Sequence, residues 1–295
     1  MEACQLAQTS TRLEVAALLS TETCRTAQSL HGLQVTSAIA LGRLLTSAGL
    51  LAVSSKREGK TSLQILSKAR IGQVFADATH DGTVRGLIEN PSLAFPNSPD
   101  ETASGRRTLA PGLLPGHVSA VRRSAGGEYI QSMTPLVLGE VDRDVEYFLE
   151  QSDQVPTVLV ADCLVDGTGQ VTRAGGVLVQ ALPDGDREHL RQIRERLVTG
   201  GFVPALQEAP DPKALLQAVD PDLHWIDAPV PFRWHCPCSF ERAKNAVRLM
   251  GAGDISEMLL EGKTVTVDCD FCTSRYEIGL KDLEELLVET TTARG

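Results

Sequence analysis

The stretch GQVFADATHDGTVRGLIE, residues 72–89, decides the fold class. Apolar and polar residues alternate along both halves, the period of a strand with one face buried. Asp81-Gly82 lies between the halves, and that dipeptide between alternating runs signals a hairpin. A hairpin here requires a sheet around it. Upstream, KTSLQILSKA (60–69) has the same period, and GGEYIQSMTPLVLG (126–139) resumes it downstream. The intervening NPSLAFPNSPDETASGRRTLAPGLLPGH (90–117) is rich in Pro, Ser and Gly and reads as loop.

Residues before the sheet read differently. From Thr36 to Val53, the residues Ile39, Leu41, Leu44, Leu45, Ala48 and Leu51 form the wide apolar face of a buried helix. TETCRTAQSLHG (21–32) reads as a short helix with Thr21 as N-cap and Gly32 after its end. TRLEVAALLS (11–20) alternates as a strand. GEVDRDVEYFLEQSDQVP (139–156) returns to helix: Val141, Val145, Phe148 and Leu149 fall at i, i+4, i+7 and i+8, and Pro156 ends it. TVLVADCLVDGTGQVTRAGGVLVQAL (157–182) is a hairpin turning at Asp166–Gly169. Irregular mixing of strands and helices predicts an α+β core domain over residues 1–182.

The character changes after LPDGD (182–186). REHLRQIRERLVTGG (187–201) is a helix with Leu190, Ile193 and Leu197 as a narrow stripe among charges. The next 31 residues, 202–232, hold six prolines. So charged and broken a segment buries little apolar area, at roughly 25 cal/mol per Å². Ordering its backbone costs about 1–2 kcal/mol per residue. Residues 183–231 are therefore expected to be a marginally stable, helical linker. Residues 232–295 form a small C-terminal domain. Ser239 can cap a helix over 240–250, and Asp254 with Glu257 resembles a capping box for 255–261. KTVTVDCDFCTSRYEIG (263–279) is a hairpin, and 280–289 a closing helix.

The chain has 295 residues, 42% hydrophobic and 22% charged, the profile of a soluble globular protein of about two domains. A net charge of −10 argues against non-specific binding to nucleic acid or anionic membrane. The N-terminus has neither the basic nor the apolar region of a signal peptide. The most apolar window, Leu44–Val53, is too short to span a bilayer. A cytoplasmic location follows as the expectation, and with it reduced thiols.

Four of the seven cysteines then need an explanation: Cys236-Pro237-Cys238 and Cys269-Asp270-Phe271-Cys272. Two close pairs brought together by folding offer four sulfurs, and Zn²⁺ takes four tetrahedral ligands with Zn–S near ~2.3 Å. A fully sulfur-ligated ion has no open position, so hydrolytic zinc chemistry is excluded. His224 and His235 lie nearby in sequence, but four sulfurs complete the sphere. The ion would also hold together about 60 residues with little core. The cluster reads as structural zinc or as a redox switch. For the second, a disulfide across a C-x-C whose Pro237 fixes φ would be strained and readily reduced.

Other candidates are weaker. Cys4, Cys24 and Cys163 are singletons, read as small buried hydrophobes. Asp77, His80 and Asp81 read as a solvated turn. Gly175-Gly176 lacks the context of a phosphate loop. Arg106-Arg107 and Arg122-Arg123 read as solvated loop charges.

Five stretches, taken together, resemble one family: SAIALGRLLTSAGLLA (37–52), GQVFADATHDGTVRGLIENP (72–91), GEVDRDVEYFLEQSDQVPT (139–157), AGGVLVQALPDG (174–185) and the cysteine motif. The chain resembles the redox-regulated 33-kilodalton heat-shock chaperones over nearly its full length. That resemblance implies an ATP-independent holdase, not an enzyme. In the reduced state it implies one Zn²⁺ on Cys236, Cys238, Cys269 and Cys272 and little activity. Peroxide or hypochlorite with unfolding stress would form the disulfides Cys236–Cys238 and Cys269–Cys272 and release zinc. The zinc domain and linker would then unfold and bind unfolding client proteins, with the active form a homodimer. Two other classes compete. A nucleic-acid-binding zinc ribbon is disfavoured because residues 232–295 hold 8 Lys and Arg against 11 Asp and Glu. A thioredoxin-like oxidoreductase is disfavoured because C-x-x-C does not open a helix in a βαβ setting.

Overall fold

In the computed structural model, residues 2–55, 58–95 and 105–292 are described. The alternating stretch 72–89 folds as β4 (Gln73–Thr79) and β5 (Thr83–Ile88), antiparallel about the expected turn. Before them come β1 (Ala3–Thr9), β2 (Leu13–Leu19), α1 (Thr21–His31), α2 (Val35–Val53) and β3 (Gly59–Ser67). After them come α3 (Ala110–Leu113), β6 (Gly116–Ser124), β7 (Tyr129–Pro135), α4 (Val141–Phe148), β8 (Thr157–Val165) and β9 (Val171–Ala181). Next are α5 (Arg187–Arg196), α6 (Phe202–Glu208), α7 (Pro212–Val219), β10 (Leu223–Pro231) and β11 (Arg233–Trp234). The chain closes with α8 (Phe240–Arg248), α9 (Ala252–Leu260), β12 (Val265–Asp268), β13 (Arg275–Ile278) and α10 (Leu280–Thr292). Of the stretch expected to be loop, 96–104 lies outside the described residues.

The architecture is α+β, as expected. Contacts divide the chain into residues 1–235 and 236–295. In the first unit, one sheet has the order β10-β1-β2-β9-β8 and the other β11-β5-β4-β3-β6-β7. Between them lies α2, buried at every residue from Thr36 to Val53. Its core cluster draws Leu18, Leu159 and Leu178 from the first sheet and Leu63, Val74 and Val118 from the second. Helix α2 is long and apolar enough to cross a membrane by length and composition, more than the ten-residue window implied. Its position between two sheets accounts for that: a helix covered on all sides has no polar face to keep.

Residues 187–219 fold against the outer face of the first sheet, and residues 223–231 join its edge as β10. Phe202, Leu206, Leu215 and Leu216 are fully buried on that face with Val15, Val158 and Val177. Gly175 and Gly176, read as lacking phosphate-loop context, sit within β9. A Cβ on the first would stand 2.8 Å from Leu206 of α6, and one on the second 2.9 Å from Thr46 of α2. The glycines let a helix close on each side of the strand.

Several local expectations are corrected. Thr21 is the first residue of α1, not its cap; Ser20 precedes the helix and Thr21 Oγ1 bonds Ala174 O. Asp254 lies inside α9, which follows Gly251, so no capping box forms. Strand β6 emerges from the end of the expected loop. Strand β1 was hidden by a fully buried Gln5, whose Nε2 donates to Leu6 O at 2.8 Å. Strand β10 was hidden by its prolines, which its place at the sheet edge tolerates.

Arg106 is not a solvated loop charge. It is nearly buried, with Nη2 2.9 Å from Asp142 and Nε 3.2 Å from Asp162. Arg43, fully buried on α2, donates to Asp162 at 2.9 Å, to Glu140 at 2.5 Å and to Arg107 O at 2.8 Å. Burial pushes the Asp162 carboxyl up, but Arg43 and Arg106 together hold it below its ordinary value. Asp77 is likewise not a turn residue: it is buried on β4, bonded by Ser62, Lys60 and Arg85.

Candidate metal centre

The first cysteine pair precedes α8. Ser239 Oγ accepts from Arg242 N at 3.3 Å, so the chain turns into the helix immediately after Cys238. The second pair occupies the connection between β12 and β13. There Cys269 N donates to Ser274 O at 2.9 Å and Thr273 N to Cys269 O at 2.8 Å. Thr273 takes a left-handed φ of 59°, which tightens the knuckle. An exposed Asp268–Arg275 pair at 2.7 Å flanks it across the strands.

All four sulfurs lie within 4.8 Å of one another, among the described residues the one such group of His, Cys, Asp or Glu. Cys236 Sγ is 3.7 Å from Cys269 Sγ, and Cys238 Sγ is 3.2 Å from Cys272 Sγ. A regular tetrahedron with Zn–S near ~2.3 Å has edges of about 3.8 Å. The donors are four soft sulfurs gathered within 4.8 Å, close enough to share one ion, so the residues fit a thiolate-bound metal such as zinc. His224 and His235 belong to the first unit and are not in the group.

Two neighbours complete the surroundings, and sequence reasoning missed both. Tyr276 Oη donates to Cys238 Sγ at 3.1 Å, and Ser274 Oγ lies 3.2 Å from Cys272 Sγ. Burial pushes the Cys272 thiol up, but bonds with Ser274 and the neighbouring sulfurs hold it down to about 7. Burial raises the Cys269 thiol above its ordinary value. The bond to Cys238 pushes the Tyr276 hydroxyl up to about 12. The signal was present: in the hairpin drawn from sequence, period two places Ser274 and Tyr276 on one face of the second strand.

The remaining candidates stay apart from this group. Cys4, Cys24 and Cys163 are buried in the first unit, as expected, and burial pushes the Cys4 thiol up to about 12. His80 Nδ1 lies 3.3 Å from Ala52 O. Arg122 pairs with Asp153 at 2.7 Å.

A family model described as Hsp33 protein matches residues 4–279. The 33 kDa chaperonin of Streptococcus pneumoniae strain JJA is 33% identical over 270 residues, covering 91% of this chain and 92% of its own. That of strain G54 matches to the same extent. The crystal structure of the 33 kDa chaperonin, or heat shock protein 33 homolog, of Thermotoga maritima superposes with a TM-score of 0.85. That match has 26% identity and covers 98% of this chain and 99% of that one.

Proposed function

Because the chain belongs to the Hsp33 family, we propose that it is an ATP-independent holdase whose four-cysteine group is both zinc site and oxidant sensor. The observation that carries this reading is the convergence of Cys236, Cys238, Cys269 and Cys272 in a unit with little core of its own. Bound there, Zn²⁺ would supply a four-way crosslink and no open coordination position. The thiolates hold the hairpin turn against the start of α8. Tyr276 and Ser274 orient two of them by hydrogen bonds.

Under peroxide, Cys236 joins Cys238 and Cys269 joins Cys272. Each pair of thiolates gives two electrons to one peroxide, which takes two protons from solvent and leaves as two waters. Sulfurs tied in disulfides no longer serve as thiolate donors, and the folding free energy linked to metal binding is lost. Residues 233–235 bond the turn before β5 through Arg233 N and β5 itself through His235 N and strand pairing, and Cys236 follows at once in the chain. Unfolding that starts at Cys236 therefore pulls next on β11, and through it on β10, the last element of the linker, residues 183–231.

The linker's departure would bare the outer face of the first sheet, including Leu13, Val15, Leu19, Val158, Val160, Val177 and Val179. A contiguous apolar face of that kind is the chemistry that captures an unfolding protein. The reading takes the oxidised form as a homodimer, the location as cytoplasmic and the activity as non-enzymatic.

The test is zinc content and thiol count before and after peroxide at heat-shock temperature, with light scattering from a thermally unfolding protein. The expected result is one zinc per reduced chain, its release with loss of four thiols, and suppressed scattering only afterwards. Zinc release with unchanged scattering overturns the holdase; absence of zinc from reduced protein overturns the sensor.

A further inference from the structure

Two other cysteines meet inside the first unit. Cys24 lies on α1 and Cys163 on β8, and both reach Gly42 on α2. A Cβ at 42 would stand 2.7 Å from both Cβ and Sγ of Cys163 and 3.3 Å from Sγ of Cys24. The missing side chain lets the two sulfurs share the space beside α2. Cys24 Sγ also lies 3.9 Å from Ser20 Oγ and from Gly42 O.

Both thiols are quiet as the chain stands. They are 2% and 1% exposed. The neighbouring Cys24 thiol, burial and the nearby Asp162 carboxylate hold the Cys163 thiol well above its ordinary value, so little reactive thiolate forms. On one side the cover is thin. A cavity of about 230 Å³ is lined by Cys163, Asp162 and Ile39, and by Val203 and Gln207 of α6. Helix α6 is a linker element, and its fastening is identifiable. Arg173 Nε donates to Leu206 O at 2.9 Å, and its Nη2 donates to Ala209 O.

We propose that Cys24 and Cys163 are a second, gated oxidation site: once α6 lifts from β9 and opens the cavity it shares with Cys163, a peroxide reaches Cys163 and the two thiols join. The Cys163 sulfur takes one peroxide oxygen as a sulfenic acid, and the other leaves as water. The Cys24 sulfur then attacks the Cys163 sulfur, and the hydroxyl departs as a second water with the Cys24 proton. Two thiols and one peroxide become one disulfide and two waters. The bond would tie α1 to β8 across α2, crosslinking the core while the linker is displaced. This step depends only on the position of α6, not on the metal centre.

The experiment treats the full-length reduced chain with hydrogen peroxide, alkylates the remaining thiols and maps peptides without reduction. Each disulfide is read on its own peptides, so failure at the C-terminal cysteines and failure here are separately visible. At 25 °C wild type should return Cys24 and Cys163 alkylated after the C-terminal pairs have reacted. Arg173→Ala should form the Cys24–Cys163 disulfide about tenfold faster, the change in opening equilibrium expected from losing charge-assisted bonds. Val203→Ala, which widens the cavity and leaves Arg173 in place, should accelerate it less and serves if Arg173→Ala does not fold. The proposal is overturned if both thiols survive in every variant and on heating. It is equally overturned if the disulfide forms as fast in wild type as in the variants.

Discussion

The two units of this chain are held in different ways. Among the described residues, residues 1–235 bury one apolar cluster of 40 residues and a second of 18. Residues 236–295 bury six: Ala243, Val247, Ile255, Ile278, Leu283 and Leu286. The first unit can be stabilised by area removed from water. The second is in the size range where a metal or covalent crosslink usually replaces the missing core. An oxidant that dismantles a four-sulfur site therefore acts where there is least else to resist it. Residues 187–219 belong to the first unit and pack on its first sheet, yet the chain that follows them leads to the second unit.

The sharpest break of this comparison is removal of the candidate metal donors. Cys269→Ser with Cys272→Ser, or a strong chelator, should cost the second unit folding free energy on the order of 10 kcal/mol. Hydrogen exchange should show protection lost across 236–292 while α2, β2 and β9 keep theirs. Undiminished protection in β12 and β13 after chelation would show that six buried side chains suffice.

Inside the first unit the largest single effect should come from its buried charges. Arg43→Ala leaves Asp162 and Glu140 short of a partner and should cost about 3–5 kcal/mol, read as a lowered urea midpoint. The same network sets an acid limit. Asp162 has a folded value held below its unfolded one, so its stabilisation is present above the unfolded value near 3.8. It is lost as pH falls from there through the folded value. Stability of residues 1–235 should therefore fall steeply below about pH 4, and less steeply in Asp162→Asn, whose baseline is already lower. Equal acid slopes in both would remove Asp162 from the account.

The linker should respond less. Arg194 on α5 donates to Glu146 at 2.7 Å, to Glu150 at 2.6 Å and to Thr157 O at 2.7 Å, and it is about a third exposed. Arg194→Ala should cost about 1–3 kcal/mol. Exchange should quicken over 187–219 before it does in β2. If both speed up together, the linker and first sheet open as one body, and the contrast between them dissolves.

What could be read in advance follows from the same contrast. Apolar periodicity located α2, the hairpins at Asp81-Gly82 and Asp166–Gly169, and the face of α4, because each buries apolar groups against water. Spacing alone located Cys236, Cys238, Cys269 and Cys272, because few other arrangements of thiols in a small unit make chemical sense. Buried charge was illegible. In GEVDRDVEYF, nothing in the pattern marks Asp142, Asp144 and Glu146 for burial, yet all are buried. Asp144 accepts N–H bonds from Val137, Leu138 and Glu140, while Asp142 meets Arg106. Asp142 and Glu146 are set by Arg106 and Arg194, distant in sequence, and Asp144 by nearby backbone N–H groups whose turn only the fold creates; composition reveals neither. The meeting of Cys24 and Cys163 was hidden for the same reason: it depends on three elements converging at Gly42.

The smallest effect is the most discriminating. Tyr276→Phe removes one hydrogen bond to Cys238 and keeps the ring against the second unit's core. A purely structural tyrosine would leave the metal's affinity and electronic environment unchanged. A hydroxyl that draws density from the Cys238 thiolate would not. Its loss should weaken Zn²⁺ binding by about tenfold in chelator competition, the low end for neighbours of metal ligands. In the Co²⁺-substituted protein the thiolate-to-metal charge-transfer band should shift to lower energy, because the sulfur becomes easier to oxidise. Peroxide should then consume the cysteines faster, with the far-ultraviolet circular dichroism of the reduced protein unchanged. Ser274→Ala makes the matching test at Cys272. A band unmoved in both variants would leave the four sulfurs acting alone, and the second unit's sensitivity to oxidant would then rest on its small core rather than on tuning of its ligands.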